Sequence, residues 1–357
     1  LLAPHALVGQ AIPQLPPRAD PNDWEAHYDL GVARLRTHGA HALASFEQAS
    51  RLDPSRAEPL HGRFVAFWMS RPLEDFAAWL QGDRRLNADR DVRAADSLFA
   101  LALQRNPFVH RGLEVILFDR VPGRFLTNID TRAWLKYSTG DFQEAERLQS
   151  RSIERNPKEV WMRRDRALSR VMLRDLAGAR ADIEALVAAL RQAEDTASEV
   201  SYYRSKHGLL HMLGLIRVQQ NDLVGARTVF AEAMVEDAGF AYGQAALANV
   251  SRMERKAREA TAEFELALEL APQDAVIRWW YAQALFDAGR YDASVAEAQK
   301  VVAAEPQWAA PHFTIARARE RQGRTADARA AYAGYLQRAT VTDPSARAIR
   351  TRFPDLR

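Results

Sequence analysis

The chain has 357 residues, 47% of them hydrophobic and 27% charged, with a formal net charge of +3. This composition excludes a disordered chain, and the interleaving of acids and bases argues against the concentrated basic face of a nucleic-acid binder. Cysteine is absent, which excludes disulfides, thiolate metal sites and thiol nucleophiles within the chain.

The chain begins at Leu1, not Met, with the stretch "LLAPHALVGQAIPQLPPRADP". It is apolar, proline-rich and free of acid until Asp20. Residues 1–21 read as an extended leader: the residue of a signal peptide, a tethering arm, or a plain run-in to the first helix. The start at Leu1 leads us to expect a processed or trimmed chain. The compartment stays undetermined, with periplasmic or extracellular placement favoured over cytoplasmic. No apolar run reaches the roughly 18 residues needed to cross a bilayer.

From residue 22 onward a phrase recurs. Small, large apolar, small and proline residues stand at Ala42, Phe46, Ala49 and Pro54, and again at Ala95, Phe99, Ala102 and Pro107. Between these two sets the spacing is wrong for a strict repeat: Ala42, Ala95 and Ala145 are 53 and 50 residues apart. We therefore read 22–196 as one array, irregular at 55–125. There, "HGRFVAFWMSRPLEDFAAWL" and "FVHRGLEVILFDRVPGRFL" predict extra or displaced helices, broken near Pro72 and at Pro122-Gly123. Ala145 and Ala179 restore a spacing of 34. The linker around "RQAEDTASEV" then intervenes, and part of it is expected to lengthen the helix through "SYYRSKHGLLHMLG".

Residues 197–342 are regular. Ala226, Ala260, Ser294 and Ala328 are each 34 residues apart, as are Pro272 and Pro306. Leu213-Gly214, Leu247-Ala248, Tyr281-Ala282 and Ile315-Ala316 each fall twelve residues before one of those small residues, counting from the second of the pair. Turn residues lie between the two halves, at Asn221-Asp222, Gly289-Arg290 and Gly323-Arg324. Asn and Gly accept the left-handed conformation that ends a helix, so each unit is two helices. Small residues such as Gly214 and Ala226 allow close approach, Phe230 fills the seam to the next unit, and proline breaks the second helix. Finally, "TDPSARAIRTRF" offers Asp343 as N-cap and Pro344 at the first helical position, predicting a capping helix within 343–357 that Pro354 stops.

With these signposts the chain resembles the tetratricopeptide repeat family, whose unit is a 34-residue helix–turn–helix. The resemblance covers most of 22–342 and is densest over 207–342. It implies an all-α, right-handed solenoid of about eight stacked helix pairs ended by a capping helix. It also implies a concave groove lined by the first helix of each unit. Carried over unit by unit, the groove positions are His211 and Leu215; then Tyr242, Asn249 and Arg252; then Trp279, Gln283 and Phe286; then Phe313, Arg317 and Arg321. Rings with arginines and amides suit recognition of a protein or peptide. The lysines that some family members use to hold a C-terminal carboxylate are missing. Trp134, Tyr137, Trp161 and Arg164 either continue the groove or belong to the core.

No phosphate loop, dinucleotide fingerprint or hydrolase motif is present. His207 and His211 have ligand spacing on one helix face, but no third ligand stands nearby, and packing or groove lining is the simpler reading. Glu263, Glu265 and Glu269 read as a solvated face. The expectation is a non-catalytic scaffold or adaptor with no cofactor, no metal, no nucleic-acid partner and no transmembrane span. Two alternatives stay open. One is a permanent accessory subunit of a larger membrane-associated or extracellular assembly, docked through the leader and 55–125. The other is a regulatory module of an enzyme carried on a separate chain.

Overall fold

A computed structural model describes residues 12–35, 39–80, 84–109, 129–157, 160–192 and 205–356. Among these residues the regular structure is entirely helical. The first unit pairs α1 (Trp24–Leu35) with α2 (Gly39–Leu52). After α3 (Glu58–Met69) come α4 (Leu73–Leu80), α5 (Arg84–Ala88) and α6 (Arg90–Arg105). The next two pairs are α7 (Ile129–Ser138) with α8 (Phe142–Arg155), and α9 (Met162–Met172) with α10 (Leu176–Gln192). The regular array pairs α11 (Lys206–Gln219) with α12 (Leu223–Glu236), α13 (Ala241–Met253) with α14 (Ala257–Leu270), α15 (Ala275–Asp287) with α16 (Tyr291–Ala304), and α17 (Ala309–Arg321) with α18 (Thr325–Leu336). A last helix, α19 (Pro344–Arg352), follows. From α7 to α19 each helix packs on its chain neighbours, which is the contact pattern of a solenoid.

The turns carry the repeat. Residues with positive φ fall at Asn221, Arg255, Gly289 and Gly323, once in each of the four regular units, and at Gly140 and Arg174 in the two units before them. Asn221, Gly289 and Gly323 were the expected turn residues; Arg174 and Arg255 hold the same left-handed conformation without a glycine's freedom. Where the following residue is Asp, it also caps the second helix: the Asp222 carboxylate accepts from Gly225 N at 2.9 Å, and Asp141 accepts from Glu144 N at 3.4 Å.

The seams are filled as the small-residue pattern predicts. Phe230 and Phe264 are fully buried. A Cβ at Gly214 would stand 2.2 Å from the Phe230 ring, and Cβ atoms at Gly31 and Gly62 would stand 2.6 and 2.5 Å from Phe46. Bare backbone at these positions is what lets the rings lie against the helices.

The irregular segment resolves into a pair with an insertion. Helix α3 packs on α2 and on α6, so α3 and α6 form the second hairpin, with α4 and α5 between them. The chain breaks at Pro72, as expected. Asp89 caps α6 through Asp91 N at 2.8 Å and also holds Arg71 at 2.7 Å. The predicted break at Pro122-Gly123 and the expected helical extension over 201–204 lie outside the described residues; α11 starts at Lys206 with Ser205 as its N-cap. At the far end, Asp343 accepts from Ser345 N at 2.7 Å and Ala346 N at 3.2 Å, with Pro344 opening α19.

One hairpin departs from the pattern. On α9, Arg166 takes the place held by Leu213, Leu247, Tyr281 and Ile315 in the regular units, and Arg163, Arg166 and Arg170 line the side facing α10. They converge on Asp182, whose side chain is 3% exposed, at 3.8, 2.5 and 2.8 Å. Arg170 also reaches Glu146 of α8 at 3.0 Å, and Arg166 reaches Ser150 at 3.1 Å.

The two ends of the array meet. Asp20 accepts from Val341 N at 2.7 Å and Asn22 donates to Gln337 O at 3.0 Å. Gln48 of α2 donates to Gln307 at 3.0 Å. The solenoid thus returns on itself, and its first hairpin lies against the turns that join its last two units.

Candidate partner-binding face

The first helices α11, α13, α15 and α17 make up the face expected to be concave; along it α13 meets α15 and α15 meets α17. Its N-terminal end is occupied by the chain itself. His211 is 3% exposed and Tyr242 5%. The end of α6 lies over them: Arg105 Nε donates to the Tyr242 hydroxyl at 2.9 Å, and that hydroxyl donates to Asp274 Oδ2 at 3.0 Å. Asp274 is in turn the N-cap of α15, accepting from Val276 N and Ile277 N, each at 2.9 Å. Arg105 Nη1 also donates to Pro54 O. Expected as open groove residues, His211 and Tyr242 are instead buried in an internal contact. Beside it is a pocket of about 100 Å³ whose walls include Arg105, His211, Leu215, Tyr242, Met253 and Trp280.

The electrostatics follow from this burial. His211 is held down to about 3, first by loss of water and then by His207 beside it, so it is neutral at pH 7. Its ring packs against Phe230 and Phe240, 5.8 and 5.2 Å between centroids. Burial also raises the Tyr242 hydroxyl. Glu305, in the turn before α17, is raised by burial against the opposing pull of Arg105 and Arg51. His207 sits 3.7 Å from Asp237. Among the described residues no three His, Asp or Glu side chains gather as a metal site.

The rest of the face is built of contacts between neighbouring units. Arg252 donates through Nε to Asp287 at 2.6 Å and through Nη2 to Gln283 at 3.2 Å. Asn249 is half-buried on the wall of the pocket. The Trp279 indole N–H donates to Thr314 at 3.3 Å, and its ring lies 4.8 Å from Trp308. Phe313 packs on Tyr335 at 5.1 Å. Arg317 and Arg321 are exposed. Arg317 lies 4.4 Å from the centre of the Phe286 ring and 5.8 Å from that of Phe313.

Of the four residues left open between groove and core, Tyr137 and Arg164 are buried, and Trp134 and Trp161 pack against the core. Glu263 is not simply solvated: it accepts from Arg227 at 2.9 Å and from Ser251 at 2.6 Å. The residues missed from sequence are Arg105, Asp274 and Trp280. Trp280 shared a dipeptide with a candidate, but nothing in the periodicity places Arg105 against Tyr242.

With the hairpins, the spaced turns and the concave face described, a comparison with known families is decisive for the repeat. A family model described as tetratricopeptide repeat matches residues 252–312. Residues 252–312 are thus matched as tetratricopeptide repeat, within the stretch where the 34-residue spacing is strict. Repeats of this kind generally mediate protein–protein interaction and are typically non-catalytic. The tetratricopeptide array is similar to a crystal structure of the MamA protein, at 14% identity over 54% of this chain and 94% of that one, with a TM-score of 0.43. It is also similar to YrrB, described as a TPR protein with an unusual peptide-binding site, at 14% identity over 57% and 98% of the two chains and a TM-score of 0.43. A structure of the APC/C hetero-tetramer Cut9–Hcn1 gives 16% identity over 92% and 62%, with a TM-score of 0.48. No curated protein matches the chain. Among the described residues no helix is long and apolar enough to cross a membrane.

Proposed function

We propose that this tetratricopeptide array is a non-catalytic scaffold that holds a protein partner on its concave face, along α13, α15 and α17. The observation that carries the reading is the row Asn249, Arg252, Gln283, Phe286, Phe313, Arg317 and Arg321. Asn249, Gln283 and Arg317 stand in register on three consecutive first helices and Arg252 and Phe286 on two, and the row ends in exposed arginines, of which Arg317 lies against rings. Rigid rings supply contact area at little entropic cost, and arginine edges pair with carboxylates and backbone carbonyls.

A second reading has its own support. On the opposite, second-helix side, Val224 and Val235 of α12 are 76% and 83% exposed, and Leu266 and Leu270 of α14 are also exposed. Apolar residues gathered on neighbouring helices favour a surface covered in a larger assembly.

Site-specific photo-crosslinking separates the two. A benzophenone side chain would be placed at Gln283 or Arg321 on the concave face, and at Val235 or Leu266 on the other, in cells of the native source. Cross-links to a protein from the first pair and none from the second are expected. Cross-links only from the second pair would move the interface to the convex side and favour the permanent-subunit reading.

A further inference from the structure

The chain changes character at its C-terminal end. Residues 309–357 hold ten arginines and four acidic residues, a net +6, whereas residues 1–308 hold 39 basic and 42 acidic residues, a net −3. The modest whole-chain charge therefore hides a basic end on a slightly acidic body. Such asymmetry points toward an anionic counterpart.

Upstream, the cations of the array find acids within it. Arg252 meets Asp287 at 2.6 Å, Arg217 meets Glu184 and Asp222 at 2.7 Å each, and Arg278 meets Glu297 at 2.7 Å. At the last seam two cations on α17 stand outside this pattern. The position one unit on from Arg252 is Phe286, and what lies over it is the Arg317 guanidinium, 4.4 Å from the ring centre. Phe313, one turn back on α17, comes within 5.8 Å of the same guanidinium. Glu320 is taken by Arg352 and by the Tyr332 hydroxyl, and Arg319 by Asp292 at 3.3 Å. Among the described residues neither Arg317 nor Arg321 makes an ion pair.

The two rings fix a guanidinium that would otherwise sample many rotamers, and they hold it by cation–π attraction. A guanidinium fixed in this way keeps its N–H edge for a planar, two-oxygen acceptor. A lysine there would keep the charge and lose the fork. We propose that Phe286, Phe313, Arg317 and Arg321 form a receptor for an acidic segment of the partner protein, with an Asp or Glu carboxylate bound two-pronged by Arg317 and a second acid met by Arg321. This rests on the reading of the concave face as the partner surface and gives that surface a chemistry.

The test is fluorescence anisotropy of the full chain with a fluorescein-labelled decaglutamate peptide at low salt. Arg317→Gln is expected to weaken binding about tenfold, and Arg317→Lys to recover only part of the loss. Arg258→Gln, an exposed arginine on α14, is expected to leave binding unchanged. Equal losses from Arg317→Gln and Arg258→Gln, or no binding of decaglutamate, would overturn the proposal. So would tighter, Arg317-dependent binding of anionic phosphatidylglycerol vesicles or of a single-stranded oligonucleotide, which would assign the site to a phosphate-bearing ligand. A partner that cross-links to Gln283 yet ignores Arg317→Gln would leave the concave-face reading standing and remove only the acidic receptor.

Discussion

His211 shows how position changes a side chain's role. On paper it is half of a two-histidine ligand pair. In the fold it is neutral filler between Phe230, Phe240 and the end of α6, with a pKa of about 3. A histidine lowered in the folded state binds its proton in the unfolded chain first. Its stabilising effect is therefore complete above about pH 6.5 and is lost progressively as pH falls from there toward 3. One such group costs about 2 kcal/mol between pH 7.5 and pH 5. Urea unfolding at the two pH values should show that loss in the wild type, and His211→Leu should show a loss smaller by about that amount. Equal losses in both would mean that the ring is protonated inside the fold. The groups near His211 that titrate or carry charge are His207 on its own helix, Tyr242 on α13 and Arg105 on α6. Only His207 titrates in the same range, and it is present in both proteins. The histidine spacing was legible in sequence. Its burial was not, because it lies on one pocket wall with Tyr242, which Arg105 reaches from 137 residues away.

At the level of helices, legibility follows the physics of each hairpin. Where small residues, ring and turn all agree, as at Gly214, Phe230 and Asn221, the sequence reads directly as structure. It reads less well where one term changes. The α3–α6 hairpin kept its signposts, but α4 and α5 spread them apart, so the pairing could not be counted from spacing. The α9–α10 hairpin kept its small residues, Ala167 and Ala179, and set Arg166, where the regular units carry Leu213, Leu247, Tyr281 and Ile315, beside Arg170. The arginines are ordered because Asp182, buried between them, accepts from Arg166 and Arg170. Removing one partner of a buried ionic cluster leaves the others uncompensated, at a cost of about 3–5 kcal/mol. Asp182→Ala should therefore lower the urea midpoint sharply, whereas Asp175→Asn, which removes an exposed charge beside Arg170 and keeps an acceptor for the Gly178 N cap, should change stability by less than about 1 kcal/mol. Similar small losses from both would mean that water already satisfies the arginines. That outcome would demote the cluster from an internal contact to a surface one.

Over the whole molecule, the contacts that join the ends are of a different kind from those that build the units. Each hairpin is held by buried apolar surface, which is non-directional and large in sum. The joining contacts are single polar bonds: Asp20 to Val341, Asn22 to Gln337, Gln48 to Gln307, and Arg105 to Tyr242. Sequence reading had no access to them. They span up to 321 residues and leave no periodic trace, since nothing repeats at that distance. Their consequence is nonetheless large, because they decide whether the concave face opens to one side or is backed by the N-terminal hairpins. The absence of cysteine from the chain makes the arrangement directly testable. With Gln48→Cys and Gln307→Cys introduced together, the two thiols are the only ones present and occupy positions whose native side chains are 3.0 Å apart. A short bis-maleimide, which reaches across the span of two glutamine side chains that a disulfide is too short to bridge, should link them within one chain in dilute protein, giving a band that migrates faster on a denaturing gel. Either single variant should yield only monomer or intermolecular dimer. A double variant that forms dimers as readily as the single variants would mean that the ends stand apart in solution, with Arg105 withdrawn from Tyr242 and the N-terminal half of the concave face open to a partner.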